Sequence, residues 1–217
     1  MALTAILAGS TGVVGSQLLQ RLLHDEDYSS VVAITRRPLG RQNTKLTEVI
    51  CDYASIDSHR DDLRGDVLFC CLGTTQKVAG SREKFYEVDH DYPVRIGEIA
   101  LANGAQTYVY VSSLGASTRS PSYYMRVKGE TERDLSSLGY RSMHIVRPSL
   151  IVGDRPESRP AELFGQRVLT TISPVMVGRL EKYRPISADQ IAKAMLEISK
   201  RDGQGAFVHT SDQLARF

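Results

Sequence analysis

The chain has 217 residues, enough for one domain with a sizeable core, and its 41% apolar and 24% charged residues are ordinary for a globular protein. A formal net charge of +2, with no long basic block, gives no ground for nucleic acid as a partner. The apolar run at the start is short and lacks a basic leader, and the stretch around Val168 to Val177 is broken by Thr170, Thr171, Ser173 and Pro174. Neither a signal peptide nor a membrane span is therefore expected, since a span takes about 20 apolar residues.

Residues Met1 to Gly15 read MALTAILAGSTGVVG. An apolar run (Leu3, Ala5, Ile6, Leu7, Ala8) ends in Gly9, Gly12 and Gly15, and Val13, Val14, Leu18, Leu19, Leu22 and Leu23 then recur at helical spacing. The order is strand, glycine-rich turn, helix. Glycine lets the backbone turn tightly and approach a ligand, and the helix start offers N–H groups and a partial positive charge to a pyrophosphate. The spacing is G-x-x-G-x-x-G rather than the usual dinucleotide G-x-G-x-x-G. The segment Gly9, Ser10, Thr11, Gly12, Val13, Val14, Gly15 is the expected phosphate-binding turn.

Ser30 to Thr35 reads as a second buried strand, followed by Arg36, Arg37 and Pro38. In a doubly wound sheet this strand end meets the adenosine ribose, where an acidic residue binds the 2′-hydroxyl. Two guanidinium forks suit a 2′-phosphate instead, so the expected cofactor is NADP(H). A third strand, Leu46 to Cys51, ends in Asp52 and Tyr53; Asp52 either accepts from the adenine amino group or starts the helix that follows from Ser55. The fourth strand, Asp66 to Cys71, leads into Leu72, Gly73, Thr74 and Thr75, with Gly73 placed for a second close approach to the cofactor.

A helical region runs from Ser81 to Asn103, in two pieces or kinked at Pro93 and closed by Gly104. The fifth strand, Thr107 to Val111, precedes Ser112 and Ser113; a helix from Ser122 to Gly139 carries Tyr124 and Lys128; and the sixth strand, Ser142 to Val146, leads to Arg147 and Pro148. This alternation predicts an α/β fold, a doubly wound parallel sheet of Rossmann type, in a single domain. Residues 1–150 are its dinucleotide-binding core. Residues 151–217 are expected to form a small cap on the substrate side, with a charged loop from Gly153 to Pro160, a helix near Ala161 to Thr171, a helix from Ala188 to Lys200 and a strand from Ala206 to His209.

Cys51, Cys70 and Cys71 are odd in number and lie in expected strands, which suggests a reduced, cytoplasmic protein. The five histidines, His24, His59, His90, His144 and His209, are scattered, and no metal site is expected.

Tyr124 and Lys128 are four residues apart and share a helix face. Bringing a tyrosine from its ordinary pKa of about 10 to about 7 takes roughly 4 kcal/mol. A lysine ammonium about 5 Å away, at an effective dielectric of about 20, supplies on the order of 3 kcal/mol, so the pair suits general acid–base work. Tyr123 is the rival, but its i+4 partner is Val127. Ser112 or Ser113 stands ready to hold a substrate oxygen; strand alternation puts them on opposite faces, and Ser113 is preferred. A Y-x-x-x-K pattern is common by chance, and its weight comes from following a Ser-Ser strand end, a glycine turn and an arginine pair.

Glycine turn, serine after the fifth strand, Y-x-x-x-K and a proline after the sixth together resemble the short-chain dehydrogenase/reductase superfamily. CCLGTT (Cys70 to Thr75), VDHDY (Val88 to Tyr92), YMRVKGE (Tyr124 to Glu130) and GDRPESRP (Gly153 to Pro160) resemble its atypical branch around the Tat-interacting protein 2 oxidoreductases. The resemblance implies NADPH held at Gly9, Gly12, Gly15, Arg36 and Arg37, catalytic roles for Ser113, Tyr124 and Lys128, and Pro148 beside the nicotinamide. Many superfamily members carry an asparagine where this chain has Asp89.

The expected function is an NADP(H)-dependent oxidoreductase acting on a small carbonyl or alcohol of unspecified identity. The alternative is an NADPH-binding sensor whose partner surface includes Arg155, Glu157 and Arg159. A homodimer or a protein partner stays open in both readings.

Overall fold

The computed structural model describes residues 2–153 and 178–217. The charged loop beyond Gly153, with Arg155, Glu157 and Arg159, and the helix expected near Ala161 to Thr171 lie outside the described residues.

Strands β1 (Leu3–Ala8), β2 (Tyr28–Thr35), β3 (Leu46–Ile50), β4 (Val67–Cys70), β5 (Thr107–Val111) and β6 (Ser142–Arg147) are joined in one sheet by β9 (Gly205–Thr210). The order is β3-β2-β1-β4-β5-β6-β9, and every neighbouring pair is parallel. Successive side chains of a strand point to opposite faces, and β1 shows the result. Ala5 and Leu7 pack with α1 (Val13–His24) and α6 (Ala188–Ser199) on one face, and Ile6 and Ala8 with α4 (Tyr92–Ala102) and α5 (Tyr123–Ser137) on the other. Both faces being covered, the inner strands β1, β4 and β5 are largely apolar, as in other parallel sheets.

The last third contributes to the same layers. Helix α6 packs on α1 and β9 extends the sheet as its seventh strand. Ser187 caps α6 by accepting from the Gln190 N–H, and a buried Tyr28 hydroxyl meets Ser199 Oγ at 2.8 Å, tying β2 to that helix. A small second sheet pairs β7 (Ile151–Val152) with β8 (Ile186–Ser187). The short helix α7 (Ser211–Leu214) follows β9 and starts with a Thr210–Gln213 capping box.

The region from Ser81 to Asn103 is more divided than Pro93 alone implies. Beyond the one-turn α2 (Gln76–Ala79), it consists of α3 (Arg82–Tyr86), a π-helical turn (Glu87–Asp91) and α4, with Pro93 in the first turn of α4, where its missing N–H is harmless. The segment after β3 is a 3-10 helix (Tyr53–Asp62) with Asp52 as its cap, accepting from the Ala54 N–H at 3.4 Å. Of the two roles open to Asp52, this is the one visible in the fold.

Candidate active site

In a parallel sheet all strands end on one edge, so the segments that follow β1, β2, β3, β4, β5 and β6 meet there. Those segments are Gly9–Gly15, Arg36–Arg37, Asp52–Tyr53, Leu72–Thr74, Ser112–Ser113 and Pro148. The reversal of strand order between β1 and β4 opens a crevice at this edge.

The glycine turn is built on close contact. Gly9 has φ of +83°, and a Cβ there would lie 2.7 Å from the Cys71 carbonyl carbon; a Cβ on Gly15 would lie 2.0 Å from Gly9 O. No side chain fits at either position. Gly12 starts α1 without a side-chain cap, and no acidic residue stands in the first turn, so the helix N-terminus keeps its positive end for an anion. Ser10 is buried and its hydroxyl has no partner among the described residues. An orphaned donor beside uncapped helix N–H groups fits a dinucleotide pyrophosphate.

Tyr53 supports this turn from below. Its hydroxyl accepts from the Gly9 N–H at 3.1 Å and donates to Ile34 O at 2.9 Å, and burial pushes the phenol up so that it stays protonated. Its position among the expected cofactor contacts is thus that of a strut linking β1, β2 and the 3-10 helix. Arg36 and Arg37 are exposed after β2, and neither forms an ion pair among the described residues. Thr35, buried at the strand end, donates to Arg37 O at 2.8 Å and shapes that turn.

The two serines after β5 are separated by burial. Ser112 is buried, its hydroxyl donating to Glu132, whose carboxylate also receives Arg147. Ser113 is left as the half-buried serine at this strand end. Pro148 is buried, and its carbonyl accepts from the Leu114 N–H at 2.8 Å, joining the ends of β5 and β6.

Helix α5 presents Tyr124, Lys128 and Glu132 as a stripe at i, i+4 and i+8. Tyr124 is half-buried with its ring 5.7 Å from that of Phe85. Tyr123 is engaged elsewhere: its hydroxyl donates to Arg82 O at 3.0 Å, and the guanidinium groups of Arg82 and Arg126 lie against its ring. Lys128 is buried, with Nζ 3.0 Å from the Tyr110 hydroxyl, 3.4 Å from Val111 O and 2.9 Å from Asp89 Oδ1. Burial acts to lower the lysine, but the fields of Tyr110, Asp89 and Tyr124 outweigh it and hold the ammonium well above its ordinary value. A Cβ on Gly73 would come within 3.6 Å of Nζ, which puts the loop after β4 directly over the lysine.

Asp89, Tyr110 and Glu132 belong to this cluster and are not among the expected site residues. The periodicity of α5 carried the signal for Glu132, since it extends the Tyr124–Lys128 stripe by one turn. Tyr110 lies two residues before Ser112 on the same face of β5. The place of Asp89 depends on the π-helical turn, which no periodicity in the sequence marks.

No cluster of three or more metal-ligating side chains exists among the described residues, and none of their helices is long and apolar enough to cross a membrane.

Comparison with known proteins agrees with this architecture. The model of the NAD dependent epimerase/dehydratase family matches residues 5–206. The protein HTATIP2 of Rattus norvegicus is 34% identical over 168 residues, 76% of this chain and 69% of the relative. The protein fmp52, mitochondrial, of Aspergillus fumigatus is 34% identical over 215 residues, 96% of this chain and 92% of the relative. Among solved structures, MoeE5 in complex with UDP-glucose and NAD superposes with a TM-score of 0.71 at 16% identity, covering 97% of this chain and 79% of that one. The expectation of a cytoplasmic protein is overturned by the mitochondrial designation of the Aspergillus fumigatus protein, shared by relatives from Aspergillus niger and Saccharomyces cerevisiae. Cys51 and Cys70 are buried, Cys71 is half-buried and all three are unpaired, which does not say in which compartment the chain resides. With the family model spanning nearly all of its length, the chain belongs to the NAD dependent epimerase/dehydratase family of the short-chain dehydrogenase/reductase superfamily, whose cofactor is a nicotinamide dinucleotide.

Proposed function

We propose that this protein is an NADP(H)-dependent oxidoreductase that interconverts a small carbonyl compound and its alcohol. The observation that carries the reading is the placement of Tyr124 one helical turn from a buried, charged Lys128, beneath the loop that follows β4. When bound, the nicotinamide supplies or takes the hydride.

Tyr124 gives the substrate oxygen its proton in reduction and takes it in oxidation. Lys128 keeps its charge one turn from Tyr124 and, below Gly73, would hold the cofactor ribose. Ser113 orients the substrate oxygen, the neighbouring Ser112 being committed to Glu132. Gly9 to Gly15, with Ser10, Thr11, Val13 and Val14, hold the pyrophosphate; Leu72, Gly73, Thr74 and Pro148 line the nicotinamide side. Arg36 and Arg37 receive the 2′-phosphate, which distinguishes this chain from a structural neighbour in complex with NAD. Residues around the β7–β8 sheet form the substrate-side cap.

Replacing Tyr124 with Phe tests the reading. Removal of a general acid–base group lowers turnover by about 10²- to 10⁴-fold, while NADPH affinity stays within about twofold of wild type. Unchanged turnover removes Tyr124 from the mechanism.

A further inference from the structure

Helix α5 starts in a cluster of positive charge to which the acid–base reading gives no role. The side chain of Tyr123, its first residue, is fixed by its hydroxyl, which donates to Arg82 O at 3.0 Å, and by the buried Phe85 ring at 5.8 Å. Two guanidinium groups lie against the Tyr123 ring, Arg82 with Cζ 5.1 Å from its centroid and Arg126 with Cζ at 5.6 Å. Stacking occupies the flat face of a guanidinium and leaves the N–H groups at its edge for an acceptor. Arg126 Nη1 donates to Ser120 O at 2.9 Å, and neither arginine forms an ion pair among the described residues.

Carboxylates stand close in sequence but are turned elsewhere. Glu83, next to Arg82, faces the Ser81 hydroxyl and the start of α3, and Glu130, one turn after Arg126, lies against the Tyr86 phenol. The helix end adds to the charge. Ser122 is the N-cap residue but makes no side-chain bond, and no acidic residue stands in the first turn. The first N–H bonded within the helix is that of Arg126, to Ser122 O at 2.9 Å. The N–H groups of Tyr123, Tyr124 and Met125 therefore project without acceptors among the described residues, at the positive end of a 15-residue helix. The preceding loop is pressed onto α5: a Cβ on Gly129 would lie 2.3 Å from Ser117 C, and the Ser117 N–H donates to Met125 O at 3.1 Å. That contact fixes Ser120 O, and with it Arg126. Two like charges on one ring beside a helix N-terminus repel, and a bound anion relieves them.

We propose that Arg82, Arg126 and the N-terminus of α5 form an anion-binding subsite that holds a carboxylate or phosphate group of the carbonyl substrate. This rests on the acid–base reading of Tyr124. Tyr124 follows Tyr123 directly, and its ring lies 5.7 Å from the same Phe85 ring. The subsite and the acid–base tyrosine share one aromatic support, close enough for one substrate to engage both. Guanidinium groups and helix N–H groups accept either oxyanion through charge-assisted bonds. A substrate anchored by its anionic group presents its carbonyl to Tyr124 in a fixed orientation, and a neutral analogue loses that hold.

The test is an NMR titration of the full chain, free of cofactor and labelled at the arginine ε nitrogen, with the Arg82 and Arg126 signals assigned by their loss in Arg82→Gln and Arg126→Gln. Benzoate, phenyl phosphate or both displace the two signals saturably, and benzyl alcohol displaces neither. The tighter anion names the group that the subsite takes. Either substitution weakens anion binding by about 10-fold or more, as loss of a charge-assisted hydrogen bond requires. Signals that stay put, or that drift without saturating, overturn the proposal. In turnover with NADPH, KM for para-formylbenzoate or para-formylphenyl phosphate lies about 10-fold or more below that for benzaldehyde, and Arg126→Gln removes the difference. Equal KM values in wild type overturn the substrate role of the subsite. A chain that turns over no aldehyde fails the acid–base reading, while the titration still decides whether the anion binds, so the two failures are distinguishable.

Discussion

At the residue scale the glycine turn makes the sharpest demands. Gly15 has no room for a methyl group because its Cβ would fall 2.0 Å from Gly9 O, an atom of the neighbouring backbone that cannot swing away. Gly15→Ala forces α1 off the end of β1, and overpacking of this kind costs about 1–3 kcal/mol. The expected result is a melting temperature lower by roughly 2–10 °C and loss of saturable dinucleotide binding, read by thermal denaturation with and without cofactor. Retention of both stability and binding contradicts the close packing described for the turn. Tyr53 acts on the same turn through its hydroxyl, so Tyr53→Phe removes the hydrogen bonds to Gly9 N and Ile34 O while keeping the ring stacked on Tyr92 at 5.8 Å. A net loss of about 1 kcal/mol is expected from denaturant titration.

At the element scale, much of the architecture was legible from periodicity. Each expected strand from β1 to β6 and each long helix among the described residues is present, since apolar runs bounded by turn residues leave few other readings. The segment after β3 was harder. Its helical character is 3-10, set by the Asp52 cap and interrupted at Ser55 and His59, where no apolar stripe announces a regular helix. The π-helical turn at Glu87–Asp91 was hidden for a related reason: its stabilising partners, Thr131 and Tyr110, are 42 and 21 residues away in sequence. The candidate site divides in the same way. Gly9, Tyr124 and Lys128 stand out by local spacing, while Asp89 enters through tertiary contacts that local spacing does not encode.

The pairing of β6 with β9 carries its own pH dependence. His144 Nδ1 and His209 Nε2 are 3.1 Å apart, and His144 Nε2 is 2.9 Å from Ser142 Oγ. Burial first, then the fields of His209 and Arg201, depress His144 from an ordinary 6.5 to about 4, and His209 is lowered by burial and Arg201. Between these pH values the unfolded chain binds more protons than the folded one, so stability rises with pH across that window. The contribution of His144 is fully present above about 6.5 and is lost as pH falls through about 4, on the order of 3 kcal/mol in all. Denaturant titrations at a series of pH values should show this slope in wild type and a shallower one in His144→Gln. Equal slopes rule out the histidine pair as its source.

For the whole molecule, the parallel order of the sheet gathers loops from six strands at one edge, and the family to which the chain belongs binds a nicotinamide dinucleotide there. The choice between the two forms of that cofactor rests on the exposed Arg36 and Arg37, whose charge-assisted bonds to a 2′-phosphate are worth about 1.5–3 kcal/mol each. Arg36→Ala/Arg37→Ala should weaken NADPH by roughly 10²-fold or more and leave NADH nearly unchanged. The most direct measurement is a fluorescence titration of the wild-type chain with NADPH and with NADH, helped by the absence of tryptophan from the sequence. Saturable binding of both is expected, with NADPH the tighter by roughly 10-fold or more. Equal affinities contradict the role given to the arginine pair, and no saturable binding of either contradicts the proposed function itself.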